Sequence, residues 1–391
     1  MIIEINALDT LFFRDGKPFT MGVETWADGI FPPYPSVIYG ALRSAYFAEH
    51  IEEFQRLKKE KKLDSERDPT TKLKIKGIFL RINDAIYFPL PLNCVKEKNG
   101  NNDASFTLHP GPKNGFRSNY PDSLKEILTY SINDGTNKIE NIPDAIFSQL
   151  DFENYLNGST GDFYYLKQNN YLLSEPKIGI ARSANTHATE EGRLYRVDMR
   201  RLANKENEKV SIVVNFESLE LSNAGFLKLG GEGKAGEYKR IDKDNKDEDN
   251  RIEKEITISP PELKEDEGQF MVVLTTSAIF KNGWIPGWID KETLTGEYKN
   301  NDDSSKRADL IEVKLLAGAI GKPITIGGFD MKAKKPKPMY NAVPAGSVYY
   351  FELLNGTMEE VKDVFHQTPI SDLYQEQGFG ICYVGKVEEH K

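Results

Sequence analysis

Alternating apolar and polar residues open the chain. Ile2–Leu8 follows a period of two, which predicts a strand with one buried face. The stretch Phe31–Pro35 cannot be helical at its prolines. Ser36 follows directly and is predicted to cap a long helix that runs from about Val37 to about Lys61.

The predicted helix has two faces of different composition. Apolar and small residues recur at helical spacing and are expected to pack on a sheet: Ile38, Ala41, Leu42, Ala45 and Ala48. A second stripe holds Tyr39, Arg43, Tyr46 and His50. Aromatic rings beside cations suit base stacking and phosphate binding. Tyrosines at the edge of a core would give the same stripe, so both interpretations stay open.

Strand patterns dominate the rest of the first half. Ile75–Leu80 and Ala85–Leu92 predict a strand pair around the Asn83–Asp84 turn. Two strand-like runs rich in arginine flank a polar bend in Lys177–Arg201, which predicts a long hairpin. Val210–Phe216 is the next predicted strand.

The second half repeats a strand-rich order. Its predicted strands are Phe270–Phe280, Ile311–Ala319, Ser347–Leu354 and Gly380–Val387, and Met358–His366 is a short helix before the last of them. This order is compatible with a ferredoxin-like unit whose first helix is replaced by Trp284–Trp288 and Glu292–Lys306. The first half begins strand, helix, strand, strand. The predicted fold class is therefore α+β, with two tandem ferredoxin-like (RRM-like) domains.

Two polar stretches suggest where the domains end. Residues 242–268 are rich in acids and are predicted to be a linker between a domain at 1–241 and a domain at 269–391. Asn99–Tyr120 is polar and rich in glycine and asparagine, and is predicted to be a mobile insertion in the first domain.

Glycine clusters flanked by lysines are the most distinctive chemical feature. Residues 230–236 contain four glycines, and a lysine lies at each edge of the loop. Successive N–H groups in such a loop can hold a phosphate. The loop is not a P-loop, because Ala235 rather than Ser or Thr follows Lys234. A tight surface turn would have the same composition.

Two further glycine clusters lie downstream. One runs from Gly318 through Gly327 and Gly328 into a lysine-rich stretch that ends at Lys337, and the other is Gly378–Gly380. Repeated glycine turns beside cations suit a surface that follows a phosphate backbone. They also suit ordinary solvated loops.

Composition narrows the class of protein. At 391 residues, with 39% hydrophobic and 28% charged residues, the chain is predicted to be a soluble globular protein of two domains. It has no signal-like N-terminus and no apolar run of membrane-spanning length. Its cysteines, Cys94 and Cys382, are far apart, so a cytoplasmic location without a zinc site is expected. The net charge of −9 argues against a free-standing nucleic-acid binder, but much of the acid lies in segments predicted to be flexible or solvated.

Catalytic motifs are not apparent. The histidines show no metal-ligand spacing, and no nucleophile motif is visible, so no metal or cofactor is predicted. His50 or His187 could act as a general base on RNA, but neither has an evident partner.

Four blocks together resemble the RAMP superfamily. They are Leu8–Phe19, Phe31–Arg43, Leu229–Lys234 and Gly327–Tyr350. The resemblance is narrower to the third subunit of the Cmr module in type III-B CRISPR effector complexes. It implies two ferredoxin-like domains and a non-catalytic subunit at the base of the effector. Such a subunit holds the 5′ repeat-derived tag of the CRISPR RNA (crRNA), contacts the large palm-domain subunit and starts the filament of backbone RAMP subunits. It meets target RNA only indirectly.

The resemblance also implies roles for residues. The arginine hairpin is similar to the β-hairpin thumb of RAMP subunits, where Arg182, Arg193 and Arg196 would contact phosphates and Tyr195 would stack. The remaining residues expected at the RNA are Arg14, Lys17, Ser36, Tyr39, Arg43, Lys228, Gly230, Gly231, Gly233, Lys234, Gly327, Gly328 and Lys337. Two alternatives stay open. One is a RAMP endoribonuclease that uses His50 or His187 with Tyr46 and a lysine, and the other is a subunit that only bridges proteins.

Overall fold

The structure is a computed structural model. It describes residues 1–14, 26–27, 29–98, 104–112, 124, 126–129, 138–159, 162–183, 185–186, 188–203, 208–241, 256–265, 268–299, 310–330 and 335–387. Within them the chain is a strand-rich mixture of strands and a few helices.

The strands follow one another along the whole chain. They are β1 (Ile2–Ala7), β2 (Trp26–Ala27), β3 (Lys74–Ile82), β4 (Ala85–Pro89), β5 (Cys94–Glu97), β6 (Ala104–Thr107), β7 (His109–Pro112), β8 (Glu126–Thr129), β9 (Ile139–Asn141), β10 (Ala145–Ser148), β11 (Phe163–Tyr164), β12 (Leu166–Lys167), β13 (Leu172–Arg182), β14 (Thr189–Leu202), β15 (Val210–Glu217), β16 (Ala224–Lys228), β17 (Ala235–Arg240), β18 (Gln269–Leu274), β19 (Thr295–Tyr298), β20 (Ile311–Ala319), β21 (Ile324–Ile326), β22 (Phe329–Asp330), β23 (Lys335–Pro336), β24 (Tyr340–Ala342), β25 (Val348–Asn355), β26 (Thr368–Pro369) and β27 (Ile381–Lys386). The α-helices are α1 (Pro35–Glu49), α2 (Ile51–Lys59), α3 (Gln149–Leu156) and α4 (Met358–Phe365). Short 3₁₀ turns occupy Pro69–Lys72, Gln168–Asn170 and Gln375–Gln377.

The predicted first helix is two helices. The N-cap is Tyr34 rather than Ser36, because Pro35 takes the first helical position, where a residue without an N–H loses nothing. The chain leaves helical geometry at His50, whose φ of −121° and ψ of 52° separate α1 from α2. Of the predicted apolar face, all members except Ala48 are buried.

Contacts divide the chain into two compact units that interleave in sequence. The first comprises Met1–Asp84, Asn169–Glu253 and Thr325–Asn341, and the second comprises Ala85–Gln168, Lys254–Ile324 and Ala342–Lys391. This division differs from the predicted boundaries at 241 and 269. Residues 85–168 belong with the C-terminal strands because they hydrogen-bond to them. For example, the Asn93 amide donates to the Tyr350 hydroxyl at 2.8 Å.

The first unit is built on an antiparallel sheet. Its strands lie in the order β3-β15-β1-β17-β16, and each neighbouring pair is antiparallel. Helix α1 packs on β16 and β3 through its buried face. A smaller sheet has the order β13-β14-β2, in which β13 and β14 form the predicted long hairpin and β2 pairs parallel to β14.

The second unit has its own antiparallel sheet and core. The strand order is β19-β20-β25-β18-β27-β26. Trp284 and Trp288 pack against the core, which includes Phe270, Phe351 and Phe365. The described part of the segment between β18 and β20 thus supplies core side chains and the edge strand β19.

Two predicted polar segments are partly ordered elements of this second unit. The described end of the predicted linker, 256–265, buries Ile256 and Ile258, and the Gln367 side chain donates to the Ile256 carbonyl at 2.9 Å. Within the predicted insertion Asn99–Tyr120, strands β6 and β7 pair with β5 and β8. Apolar residues alternate with polar ones in both segments, for example at Ile256–Ile258 and Ala104–Leu108. This pattern explains why the described parts form elements of the fold rather than a linker and a mobile insertion. The remaining residues of both segments lie outside the described residues. The same holds for residues 300–306 of the predicted segment Glu292–Lys306.

Candidate nucleic-acid interface

Every predicted RNA-contacting residue that the structure describes belongs to the first unit. This includes Gly327, Gly328 and Lys337, although Lys254–Ile324 of the second unit separates them in sequence from the rest. Lys17 lies outside the described residues.

The arginine hairpin is a two-stranded ribbon with a defined register. Gly179 lies opposite Tyr195, and Ile178 lies opposite Arg196. A Cβ at Gly179 would lie 2.2 Å from Cζ of Tyr195, so the glycine makes room for that ring to lie across the ribbon. Tyr195 is half-buried and packs beside Phe12, Val197 and Met199. One part of the Tyr195 ring is therefore covered by the fold.

Arg182 and Arg193 are in the two strands of this hairpin. The Arg182 backbone pairs with Thr189 near the bend. Their side chains are outside what the structure describes, as is His187. Arg196 is half-buried on β14, where it also pairs with Trp26 of β2.

The segment Leu8–Arg14 joins the base of the hairpin to the glycine loop. Leu11 exchanges two backbone hydrogen bonds with Arg200 of β14, at 2.7 and 2.8 Å. On the other side, the Gly231 N–H donates to the Phe12 carbonyl at 2.8 Å. Arg14 follows, exposed, in a bridge with Gly29. The hairpin therefore meets two of the four blocks at one place: the described part of Leu8–Phe19, and Leu229–Lys234.

The glycine loop is held by the chain's own backbone. Gly230 has φ of +81°, and a Cβ there would lie 2.4 Å from the Phe12 carbonyl oxygen. Gly233 also has a positive φ of +68°, with open space around it. Close approach to Phe12 therefore accounts for Gly230. One N–H predicted to hold phosphate, that of Gly231, is already donated within the loop's packing. Lys228 is exposed at the end of β16, where the loop begins.

Lys234 ends the loop and points at an acidic side chain. Its ammonium donates to Asp9 Oδ2 at 2.7 Å and to the Thr10 hydroxyl at 3.0 Å. Only 13% of the Lys234 side chain is exposed. The Lys234 ammonium, together with the Thr10 backbone N–H, holds the pKa of Asp9 well below its ordinary value.

Two more cations reach the same carboxylate from the hairpin. Arg201 donates to Asp9 Oδ1 at 3.2 Å, and Lys177 Nζ lies 3.8 Å from Oδ2. Arg201 also makes a bidentate pair with Glu175. Because of Glu175 first, and Asp9 as well, the pKa of Arg201 is raised. Asp9, Lys177 and Arg201 are absent from the residues predicted to bind RNA. The charge alternation of Glu175 and Lys177 on one strand face hinted at the cluster, but their meeting with Asp9 depends on the fold.

Arg43 and Tyr39 are engaged in contacts within the fold. Arg43 donates to Asp64 at 2.7 Å, to Asp68 at 2.9 Å and to the Thr70 hydroxyl at 2.7 Å, and Asp68 is fully buried. Burial opposes the charge of Arg43, but its pairs with Asp64 and Asp68 raise the pKa overall. Tyr39 is only 8% exposed, and its ring lies below the guanidinium. The packing interpretation of the stripe therefore holds for Tyr39, whose buried ring presents no face to a base. Ser36 is half-buried in the first turn of α1.

The end of the second glycine cluster forms a small hairpin. The Lys337 N–H donates to the Gly328 carbonyl at 2.9 Å, beside the β22–β23 pair, and Gly327 precedes it. Gly328 and Lys337 are exposed. Glycine and cation are thus brought together here, as the sequence pattern predicted.

The predicted nuclease residues are partly assembled. The rings of His50 and Tyr46 stack at 4.2 Å, and His50 Nδ1 lies 2.9 Å from the Tyr46 carbonyl. The Tyr46 hydroxyl donates to Glu53 at 3.1 Å. Burial and that hydrogen bond raise the pKa of Tyr46. Among the described residues, no group of three or more His, Cys, Asp or Glu side chains could hold a metal ion.

Comparison with protein families identifies the family of this chain. The family model for CRISPR-associated protein (Cas_Cmr3) matches residues 3–387. The chain belongs to the Cmr3 family of CRISPR-associated proteins. The match spans nearly the whole chain, so the resemblance seen in the sequence is confirmed at the level of this family.

Solved structures give weaker likenesses. One is a chain of type III-B Cmr-beta bound to cognate target RNA and AMPPnP, with a sequence identity of 16% and a TM-score of 0.48. The alignment covers 90% of this chain and 86% of that chain. A chain of the Csm3–Csm4 subcomplex of the type III-A CRISPR-Cas interference complex is 11% identical, with a TM-score of 0.33 and 99% coverage of both chains. A search of curated proteins gave no match. Among the described residues, no helix is both long enough and apolar enough to span a membrane.

Proposed function

We propose that this Cmr3-family chain is a non-catalytic RNA-binding subunit of a type III-B CRISPR effector. In this role it holds the 5′ repeat-derived tag of the crRNA and joins the large palm-domain subunit to the filament of backbone RAMP subunits. The observation that carries the proposal is the family match over residues 3–387. A cytoplasmic location follows from this role.

The first unit supports an RNA-binding role. The hairpin, the segment Leu8–Arg14 and the glycine loop are hydrogen-bonded to one another. Cations line their junction, and Arg196 and Tyr195 lie on the adjoining ribbon. Cations beside an aromatic ring are the combination that single-stranded RNA binders use.

Strand order supports two ferredoxin-like domains. In the first unit β3-β15-β1-β17 has the antiparallel order 2-3-1-4, with α1 between its first two strands in sequence. In the second unit β20-β25-β18-β27 has the same order, with α4 before its last strand. Among the described residues, each unit shows one of the two helices of the complete motif.

Purification with its genomic neighbours tests the proposal. The chain would be affinity-tagged, expressed with those neighbours, purified after ultraviolet crosslinking, and the bound RNA sequenced. We expect RNAs that share one repeat-derived 5′ end, crosslinked to the first unit. Complexes with protein partners but without a crosslink from this chain to RNA would instead favour the protein-bridging role.

A further inference from the structure

Three cations converge on one carboxylate where the hairpin meets the glycine loop. Lys234 and Arg201 donate to the two oxygens of Asp9 at 2.7 and 3.2 Å, and Lys177 Nζ lies 3.8 Å from Oδ2. Both lysines also donate to the Thr10 hydroxyl, at 3.0 and 3.5 Å. These groups form the Asp9 cluster, together with Glu175, which pairs with Arg201.

Two of the three cations, Lys234 and Arg201, are also held by contacts other than Asp9. Lys234 is 13% exposed and emerges from the packed glycine loop. Arg201 keeps its bidentate pair with Glu175, and Thr10 is fully buried. Asp9 itself is 51% exposed, in a bend between β1 and the bridge at Leu11. Lys234 and Arg201 are therefore preorganised by other contacts, and solvent reaches the Asp9 carboxylate that they bind.

Charge favours a second anion at this place. The Asp9 cluster carries one net positive charge with Asp9 in it and two without. Lysine and arginine side chains donate hydrogen bonds to a phosphate in the same geometry as to a carboxylate. The low pKa of Asp9 keeps it ionised near neutral pH, so a competing anion rather than a proton has to release the cations.

We infer that the Asp9 cluster is a phosphate-binding position, filled in the free chain by the Asp9 carboxylate, which an RNA phosphate replaces on binding. The inference rests on the proposed function and names one contact within it. Asp9 then acts as a competitor that RNA has to displace. It lowers the affinity of this position for any anion.

Two variants with the same change in net charge test the exchange. Asp9→Asn removes the competitor, whereas Glu220→Gln removes an exposed acid of the same unit that pairs with Arg240 outside the cluster. Binding of the full chain to a fluorescein-labelled single-stranded RNA would be measured across salt concentrations, with melting recorded on the same samples. Asp9→Asn should bind roughly two- to fivefold more tightly, the range that exposed charge pairs usually produce. Its salt slope should steepen by about 0.7. Glu220→Gln should show neither gain, because Glu220 lies outside the cluster.

Each outcome decides the matter. Equal gains in affinity in both variants would mean a general effect of net charge. A loss of affinity in Asp9→Asn would mean that Asp9 positions the cations. Either result overturns the exchange while leaving RNA binding intact. If the wild type binds no RNA and Asp9→Asn does, the exchange is supported. If neither binds, the inference falls together with the proposed function.

A covalent readout is independent of affinity. A zero-length carbodiimide should couple Asp9 to Lys234 in the free wild-type chain, because their nitrogen and oxygen lie 2.7 Å apart. Saturating RNA should reduce this crosslink several-fold and leave the coupling of Lys96 to Glu140, also 2.7 Å apart, unchanged. An Asp9–Lys234 crosslink that persists at full RNA occupancy would contradict the exchange.

Discussion

Arg43 shows how a cation on an otherwise promising stripe can serve the fold. Its guanidinium joins α1 to Asp64 and Asp68, which precede the 3₁₀ turn before β3, and to Thr70 within that turn. Asp68 is fully buried, so the arginine compensates a charge that would otherwise be costly to desolvate. The same donors are therefore not available to a phosphate without cost to the fold.

Replacing Arg43 should destabilise the chain. Arg43→Met leaves Asp68 buried without its cation and should lower the free energy of unfolding by about 2 kcal/mol. Arg56→Met is the matched control, because the Arg56 side chain is 64% exposed in its pair with Glu53 and should cost less than about 0.5 kcal/mol. Urea unfolding measures both. Equal, small losses would show that Arg43 is not a structural clamp.

Tyr39 and Tyr195 should behave in opposite ways. Tyr39→Ala empties a buried site and should cost about 3–5 kcal/mol of stability, with RNA affinity of the folded fraction unchanged. Tyr195→Ala should cost about 1–3 kcal/mol of RNA affinity, whereas Tyr195→Phe should keep most of it, because the ring face stacks. Melting and RNA titration on the same preparations separate the two effects. A stability loss without an affinity loss in Tyr195→Ala would end the stacking role.

At the scale of elements, the glycine loop needs its glycines because it packs closely against the segment Leu8–Arg14. Gly230 meets the Phe12 carbonyl, and Gly236 on β17 leaves no room for a Cβ beside Ile5 Cγ2, which would lie 2.9 Å away. The loop thereby fixes Lys234 against Asp9. In the proposed function, the loop positions that lysine and holds the segment Leu8–Arg14.

Two glycine-to-alanine changes should have opposite signs. Gly230→Ala places a Cβ 2.4 Å from a backbone oxygen at a positive φ and should destabilise by about 1–3 kcal/mol. Gly40 lies exposed in α1 with nothing within 4 Å, so Gly40→Ala should stabilise by about 0.5–1 kcal/mol. Thermal melting of both variants measures this. A neutral Gly230→Ala would mean that the loop is not packed on Phe12.

The hairpin should contribute phosphate contacts without contributing much stability. Arg193→Glu and Arg196→Glu should each lower the salt slope of RNA binding by about one unit. Melting should change little, because exposed or half-exposed cations add little to stability. Lys322→Glu, at an exposed position in the second unit, is the control. Unchanged affinity and slope in both arginine variants would remove the hairpin from the RNA interface.

At the scale of the whole molecule, net charge and site charge are separate properties. The chain carries −9 overall, yet the described parts of the predicted RNA-contacting set gather in one unit that also holds the Asp9 cluster. A subunit that meets RNA within an assembly needs one cationic surface, and the rest of its surface can suit protein partners.

The isolated chain should not cleave RNA. His50 is stacked on Tyr46 next to Glu53, an arrangement that the break between α1 and α2 explains. Incubation with repeat RNA, with and without divalent metal, should leave the RNA intact. Specific cleavage that is lost in His50→Ala or His187→Ala would instead identify a processing endoribonuclease.

The sequence by itself determined what depends on local pattern. The long hairpin, most strands, the short helix α4 and the family follow from alternation, turn residues and ordered motifs, because neighbours in the chain set them. Only the tertiary structure decided what depends on distant partners. Burial of Tyr39, pairing of Arg43 with Asp68, and the assignment of residues 85–168 to the second unit all involve segments far apart in sequence. Asp9 and Lys234 are 225 residues apart, and a one-residue change in strand register would separate them.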